Sequence, residues 1–245
     1  MSPLMALLVL ATGLHQSVGN EKDATAFAAL STDLPEVQKE VVHKHNSLRR
    51  QVDPSASNML KMEWNVEAAE NAKYWAEHCV YSHSPEYRRT LEDGMLCGEN
   101  LFYSSVPVSW SEAIQAWFDE REDFVFGEGP TYRNAVIGHY TQLVWYKSYM
   151  IACAVSYCDH KIYKYFYVCQ YCPAGNVLGI HYYSPYKEGE PCGDCPSKCD
   201  DGLCTNPCPY EDEFTNCPKL KEDYSCNHLL IEENCQESCF CESEI

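Results

Sequence analysis

The cysteines constrain this chain more than any other feature of its sequence. There are sixteen of them in 245 residues, an even number that is unevenly distributed. Six are spread over residues 79–172, and ten are crowded into residues 192–241. A stretch as short as the second, with few aliphatic residues, cannot bury enough apolar surface to fold without cross-links. We therefore predict an ordinary hydrophobic core followed by a disulfide scaffold.

The N-terminus predicts the oxidising compartment in which disulfides persist. Residues 4–14 form a short apolar run, and the small residues Ser17, Val18 and Gly19 follow it. This order is typical of a secretory signal peptide, although the chain has no Lys or Arg before the run. The run is shorter than the roughly 20 residues needed to span a bilayer. We predict a signal peptide over residues 1–19, secretion, and no transmembrane anchor.

The charge balance excludes some classes of partner. Acidic residues outnumber basic ones by 36 to 18, which gives a net charge of −18. Such a chain repels the phosphates of nucleic acids, so no nucleic acid partner is expected. An anionic membrane leaflet would offer it no electrostatic attraction either.

Three helix starts can be read from capping patterns. Asp33 with Glu36, and Ser109 with Glu112, have the spacing of capping boxes and precede apolar-periodic runs. Asn65 is the predicted cap of a helix between these two.

Strands are predicted later in the chain. Residues 143–145 form a short apolar run, residues 150–157 are mostly apolar, and residues 163–171 alternate with strong β-formers on both faces. The last of these reads as a central strand. Helices first and strands later, with several helices to cover both faces, predict an α+β fold with a three-layer α-β-α sandwich.

The two groups of cysteines are separated by a predicted linker. Residues 175–189 contain Gly179, Pro185 and Gly189 and show little apolar periodicity. The pattern C-x2-C-x3-C-x4-C from Cys192 to Cys204 would suit zinc in a cytosolic protein. Behind a signal peptide, disulfides are the preferred interpretation.

Four stretches resemble the CAP superfamily, which comprises cysteine-rich secretory proteins, antigen 5 and plant pathogenesis-related proteins. They are H-N-S-L-R (45–49), C-G-E-N-L (97–101), G-H-Y-T-Q-L-V-W (138–145) and F-Y-V-C-Q-Y-C-P-A-G-N-V (166–177). The cysteine-rich end, from residue 191 onward, resembles the hinge and the C-terminal ion-channel-regulatory module of the cysteine-rich secretory (CRISP) family. The stretches P-V-S-W (107–110) and L-C-T-N-P-C (203–208) look most like its mammalian epididymal members.

The resemblance implies the domain organisation and the cysteine pairing. It implies a CAP domain over residues 34–178, a linker and disulfide hinge over 179–207, and a cysteine-rich, ShKT-like module over 208–241. The implied disulfides are Cys79–Cys158, Cys97–Cys172, Cys153–Cys169, Cys192–Cys199, Cys195–Cys204, Cys208–Cys241, Cys217–Cys235 and Cys226–Cys239.

The resemblance also implies a central cleft with two histidines, His83 and His139, and two glutamates, Glu99 and Glu120. Glu120 lies one turn after Trp117 on the apolar face of its predicted helix, where a carboxylate needs partners. His139 precedes a predicted strand, a junction that often exposes a side chain to a cleft. Imidazole suits Zn²⁺, so His83 and His139 are the predicted ligands, with the glutamates as further ligands or as acceptors that orient the rings. The alternative is a hydrogen-bonded polar core without metal.

The remaining histidines have no such pattern. His45 lies on a helical core face and is predicted to be a satisfied core residue. The others are predicted to lie at the surface: His43, His78, His160, His181 and His228.

No enzyme motif accompanies the cleft. The chain has no H-E-x-x-H and no G-x-S-x-G elbow, and the implied pairing leaves no cysteine free as a nucleophile. The resemblance therefore implies a secreted, non-enzymatic binding protein of the reproductive tract, with roles in sperm maturation and fertilisation. The implied partners are a cell-surface protein or ion channel on sperm or egg, and a sterol or lipid. A zinc-dependent hydrolase, a lipid- or sterol-binding CAP protein, and an inert structural domain are the alternatives.

The C-terminal module is itself acidic. It carries Lys219 and Lys221 against Glu211, Asp212, Glu213, Glu222, Asp223, Glu232, Glu233 and Glu237. The acidic vestibule of a cation channel would repel such a surface. We therefore predict that the module binds an outer surface of a channel and does not occlude the pore. Phe214, Tyr224 and Phe240 are either contact residues or the module's small core.

Overall fold

A computed structural model describes residues 23–176, 182–210, 212–241 and 244–245. The predicted signal peptide, residues 177–178 of the predicted CAP domain, and His181 lie outside the described residues. The α-helices after residue 34 are α1 (Pro35–Arg49), α2 (Val66–Glu77), α3 (Trp110–Asp119), α4 (Gly138–Leu143), α5 (Cys217–Tyr224), α6 (Leu229–Asn234) and α7 (Gln236–Phe240). The strands are β1 (Glu63–Trp64), β2 (Gly98–Ser104), β3 (Phe124–Val125), β4 (Gly129–Pro130), β5 (Met150–Tyr157), β6 (Tyr165–Cys172), β7 (Cys199–Asp200) and β8 (Leu203–Cys204).

The centre of the fold is a four-stranded sheet in the order β1-β5-β6-β2. β6 pairs antiparallel with β5 on one side and with β2 on the other. β1 pairs in parallel with the start of β5. Every residue of β6 is buried. The prediction of strands near 150–157 and 163–171, with the second central, is confirmed.

The alternation along β6 feeds two cores. Tyr167, Cys169 and Tyr171 pack into a core that contains apolar residues of α1, α3 and α4. Phe166 and Val168 pack on the opposite face against α2. Helices therefore cover both faces of the sheet, and the predicted three-layer α-β-α sandwich is confirmed.

Two of the three predicted caps are confirmed. The Asn65 side chain accepts a hydrogen bond at the start of α2, and Ser109 forms a reciprocal capping box at the start of α3. The prediction for Asp33 was wrong. Pro35 occupies the first helical position, which suits proline, so α1 begins later and has no side-chain cap. The Asp33 carboxylate instead pairs with Lys73 on α2, 3.3 Å away.

The strand predicted over residues 143–145 was also wrong. Residues 138–143 form α4, and a loop follows. The carbonyl groups of Leu143 and Trp145 accept hydrogen bonds from the buried guanidinium of Arg49, at 2.9 and 2.8 Å. The Arg49 guanidinium of α1 therefore satisfies carbonyl groups that a neighbouring strand would satisfy in a sheet.

The described part of the predicted linker and the hinge pack on the first module, which is the predicted CAP domain. Tyr186 is buried in the main core, and the Ser57 amide donates to the Lys187 carbonyl at 2.8 Å. Leu203 of the hinge is fully buried in the same core. The hinge is thus part of the folded first module, which its sequence pattern did not indicate.

Within the described residues, eight disulfides are formed and no cysteine is free. Their pairs are the same as those the resemblance implies. The sulfur atoms of Cys192, Cys195 and Cys204 lie close together, but each belongs to a disulfide and none is a thiolate that could bind a metal.

Candidate functional site

A cleft of about 530 Å³ opens beside β2, α3 and α4. Its apolar walls include Leu101, Phe102 and Trp117. His83 and His139 both line it, as does Glu120. The structure therefore brings the predicted histidines to one cleft from segments that are 56 residues apart in the chain, as their numbers 83 and 139 show.

His83 is held by Glu99 of β2. The imidazole Nδ1 lies 3.0 Å from Glu99 Oε1. The Glu99 side chain is 1% exposed, whereas the His83 side chain is 59% exposed, so the carboxylate lies beneath the ring. Glu99 also accepts hydrogen bonds from the Ser84 amide at 2.9 Å and the Ser84 hydroxyl at 2.7 Å. These donors satisfy a carboxylate whose burial would otherwise be costly.

His139 is held by Glu120, which directly follows α3. Its Nδ1 lies 2.6 Å from Glu120 Oε1, and the other carboxylate oxygen accepts from the backbone amides of His139 and Tyr140 at 3.0 and 3.1 Å. The ring stacks against Trp117 with an angle of 17° between the planes. His139 thus lies in the first turn of α4 and does not precede a strand as predicted, and its ring is positioned by Trp117 of α3 and by Glu120.

The two pairs have the same chemistry. A carboxylate only accepts hydrogen bonds, so each Nδ1 donates its proton to the carboxylate, and Nε2 is the atom of each ring that is left to bind a metal. A carboxylate that fixes the tautomer in this way is the usual outer partner of a metal-binding histidine. Both oxygens of Glu99 and Glu120 are already engaged by protein donors, so these residues orient the rings. Imidazole nitrogen is a donor type that suits Zn²⁺, and two such donors would leave further coordination positions open.

Groups of three or more possible ligand atoms that converge within 4.8 Å occur, in the described chain, only around disulfide-bonded cysteines. The cleft is accordingly an open site with two imidazole donors and not a closed structural zinc site. Sequence reasoning missed Ser84, which anchors Glu99; its place beside His83 in the stretch S-H-S was the only signal.

The other histidines behave as the sequence suggests where they are described. His45 is fully buried, with Nδ1 2.8 Å from the Val41 carbonyl and Nε2 3.0 Å from the Tyr171 hydroxyl. It is a satisfied core residue. The exposed ones are His43, His78, His160 and His228.

The sequence matches two known families. Residues 42–171 match the CAP family, described as the cysteine-rich secretory protein family, and residues 192–245 match the Crisp family. The chain is 54% identical to human cysteine-rich secretory protein 3 over 242 residues, which cover 98% of this chain and 97% of the relative. No helix in the described ranges combines the length and apolar character that a membrane span requires.

Solved structures share the fold. The crystal structure of NaASP2 with Zn²⁺ is 31% identical with a TM-score of 0.59, and the match covers 70% of this chain and 96% of that one. Na-ASP-1 is also 31% identical with a TM-score of 0.58, covering 69% of this chain and 46% of that one.

Proposed function

Because this chain belongs to the cysteine-rich secretory protein family, we propose that it is a secreted, non-enzymatic binding protein whose cleft holds a zinc ion between His83 and His139. The observation that carries the proposal is the pair of imidazoles on one cleft, each with its Nδ1 held by a carboxylate. Secretion is supported by the apolar N-terminal run and by eight disulfides, which persist in oxidising surroundings.

The chemistry of the cleft supports zinc over an empty polar network. Each ring offers Nε2 as a metal ligand, in a cleft whose walls include Trp117 and Phe102. A hydrogen-bond network alone would not require both rings to be oriented in this way. A protein with the same fold, NaASP2, has been crystallised with Zn²⁺. Two neutral imidazoles leave other positions for water or for a donor from a bound partner, so the affinity of the isolated protein is modest.

The same geometry argues against a hydrolase. A general base must be free to take a proton from water. Glu99 accepts three hydrogen bonds from His83 and Ser84, and Glu120 accepts three from His139 and Tyr140. Most of the roughly four acceptor sites of each carboxylate are thus occupied, which disfavours either one as the general base of metal-assisted hydrolysis.

Zinc binding by the wild-type protein should be lost in the double variant His83→Ala, His139→Ala. The variant Glu120→Gln should weaken it by about 10- to 100-fold, because the ring of His139 loses the charged acceptor that orients it. Isothermal titration with zinc measures both. The matched control is His160→Ala, which removes an exposed histidine outside the cleft and should leave the affinity unchanged. Equal zinc affinity in the wild type and the double variant would place the metal elsewhere.

We further propose that the C-terminal module binds a membrane-bound partner, which is a cell-surface protein or an ion channel on sperm or egg. Through this contact the protein acts in sperm maturation and fertilisation. Its aromatic residues Phe214, Tyr224 and Phe240 are 48–63% exposed, so they do not fill its core. Leu229 and Leu230 of α6 are exposed as well and were missed by sequence reasoning. Exposed apolar residues on a disulfide-held scaffold favour a binding surface, because little conformational entropy is lost on contact.

Both lysines of the module are engaged, which supports binding outside the pore. Lys219 pairs with Asp223 at 2.8 Å within α5, and the Lys221 ammonium donates to the Ser238 carbonyl at 2.7 Å. Lys221 is thus held against the module, and the exposed Lys219 is neutralised by the carboxylates of Glu222 and Asp223.

The effect of the full-length protein on calcium channels of sperm or muscle should be independent of membrane voltage and should fall at least tenfold in Leu229→Asp, Leu230→Asp. Two charges on the apolar surface remove the contact. Patch-clamp recording measures the effect, and Lys221→Ala serves as the comparison that should act like the wild type. Voltage-dependent block that disappears in Lys221→Ala would show a pore plug and reject the proposed surface.

A further inference from the structure

A second groove, larger than the cleft and sharing no residue with it, runs between α1 and β1. Its volume is about 580 Å³. Val42, Met62 and Trp64 give it an apolar floor, and Trp64 is only half-buried. Pockets of this size with apolar walls and a few polar groups are typical binding sites.

The side chains that line this groove are mostly basic, although the protein as a whole is acidic. Lys39, His43, Arg50 and Lys61 line it, against the single acidic residue Glu63. In the whole chain acidic residues outnumber basic ones by 36 to 18. Apart from the hinge aspartates that pair with two of them, the cations Lys39, Arg50 and Lys61 face one carboxylate, which favours an anionic ligand by charge complementarity.

One end of the groove is already occupied by the β7–β8 hairpin of the hinge, which places two aspartates there at its turn. Asp200 pairs with Lys61 at 2.6 Å, and Asp201 pairs with Arg50 at 3.1 Å. The same segment adds backbone hydrogen bonds, because the Lys61 amide donates to the Cys204 carbonyl and the Cys204 amide donates to the Met59 carbonyl, both at 2.8 Å. The hairpin therefore shows that Lys61 and Arg50 accept carboxylates at this end of the groove.

The groove also borders the open edge of the sheet. β1 is an outer strand, and the amides of Glu63 and Asn65 donate toward β5. Along a strand, the backbone N–H and C=O groups of successive residues point to opposite sides. Those of Met62 and Trp64 therefore point away from β5, toward the groove. The Asn46 side chain pairs with both the amide and the carbonyl of Met62, as a neighbouring strand would. Trp64 is the next position along this edge.

From these observations we propose that the groove binds an extended acidic peptide segment of a partner protein. The fifteen residues of α1 span about 22 Å, which accommodates about six or seven extended residues. The acidic residues of the peptide lie toward Arg50 and Lys61, where they compete with the hinge aspartates. An apolar side chain lies over Trp64, and a neutral or basic residue lies beside Glu63.

The test uses the full-length protein and a fluorescent heptapeptide, Asp-Asp-Leu-Val-Phe-Val-Thr, followed by anisotropy. Its counterpart has two lysines in place of the aspartates. We expect the acidic peptide to bind and the lysine peptide not to bind. Lys39→Glu should weaken binding about fivefold, because it reverses a charge at the groove. Asp200→Asn, Asp201→Asn should strengthen binding about two- to fivefold, because it releases Lys61 and Arg50 from exposed ion pairs.

Lys161→Glu is the matched control. Lys161 follows the end of β5, whereas β1 pairs with the start of that strand. Lys161 does not line the groove, so reversal of its charge should leave binding unchanged. Absence of binding, or equal loss in Lys39→Glu and Lys161→Glu, would contradict the proposal. Weaker peptide binding in Asp200→Asn, Asp201→Asn would also contradict it. The same holds if dodecanoate binds saturably at Lys39 and the peptide does not bind. Because the groove and the zinc cleft share no residue, failure here leaves the proposed zinc site untouched.

Discussion

Replacement of Arg49 by methionine is expected to lower the free energy of unfolding by about 3–5 kcal/mol. The Arg49 side chain is buried, and its guanidinium makes five hydrogen bonds of 2.8–3.1 Å, all to backbone carbonyls. The acceptors are Leu60 in the loop before β1, Leu143 at the end of α4, and Trp145 and Tyr146 in the loop that follows. Methionine fills a similar volume but donates nothing, so buried carbonyls lose their partners.

Arg50→Met is the matched control for this prediction. Arg50 follows in the chain but is partly exposed and pairs with Asp201 at the surface. Loss of an exposed ion pair changes stability by no more than about 1 kcal/mol. Urea unfolding with the disulfides intact compares the two variants. Similar losses for both would show that the buried cation does not organise the two loops.

Burial lowers the pKa of Arg49 to about 9. That value still lies above neutral pH, so the side chain remains a cation in the folded protein. Its charge is balanced by the dipoles of the carbonyl groups around it, and the same hydrogen bonds hold the end of α4 and the loop after it in place.

The stability of the protein should fall by about 3 kcal/mol between pH 7 and pH 4 through His45 alone. Burial lowers the pKa of His45 from 6.5 to about 4, and the charges of Arg49 and Lys44 lower it further while the Val41 carbonyl opposes the shift. Between these two pH values the unfolded chain binds a proton that the folded chain does not. The contribution is therefore complete above pH 6.5 and is lost as the pH falls toward 4.

The variant His45→Gln isolates this effect, because it cannot titrate. Carboxylates also titrate in acid, so the measurement is the difference between wild type and variant in urea unfolding at a series of pH values. The two curves should converge by about 3 kcal/mol as the pH falls from 7 to 4. Curves that stay parallel over this range would mean that His45 does not carry the proton difference.

Sequence patterns predicted the parts of the fold that depend on local chemistry. β6 was recognised because strong β-formers alternate along it, and α2 and α3 because Asn65 and Ser109 cap their own helices. β2 was not recognised, since Glu99 and Asn100 are polar residues in a buried strand. Their burial depends on Ser84 and on the carbonyl of His139, which no local pattern reveals.

The H-N-S-L-R stretch shows the same limit. Its three polar side chains His45, Asn46 and Arg49 are buried, and their partners are Tyr171, Met62 and the carbonyls of two loops. Only the core position of His45 could be inferred from helical periodicity. The Asn46 side chain hydrogen-bonds the backbone of Met62, and Arg49 is a buried cation held by carbonyl groups. Both functions depend on residues outside the stretch itself.

The sequence named the members of the candidate site but could not indicate their hydrogen-bonded arrangement. The resemblance brought His83, Glu99, Glu120 and His139 together, and the sequence left open whether the glutamates are ligands. The answer depends on backbone donors at Ser84 and Tyr140, which occupy the carboxylates and leave them to orient the rings.

X-ray absorption at the zinc edge of the zinc-loaded full-length protein tests this arrangement most directly. We expect a shell of nitrogen and oxygen ligands at about 2.0–2.1 Å with the scattering pattern of two imidazoles, and loss of the imidazole pattern in His83→Ala, His139→Ala. A sulfur shell at about 2.3 Å, or an imidazole pattern that persists in the double variant, would contradict the account.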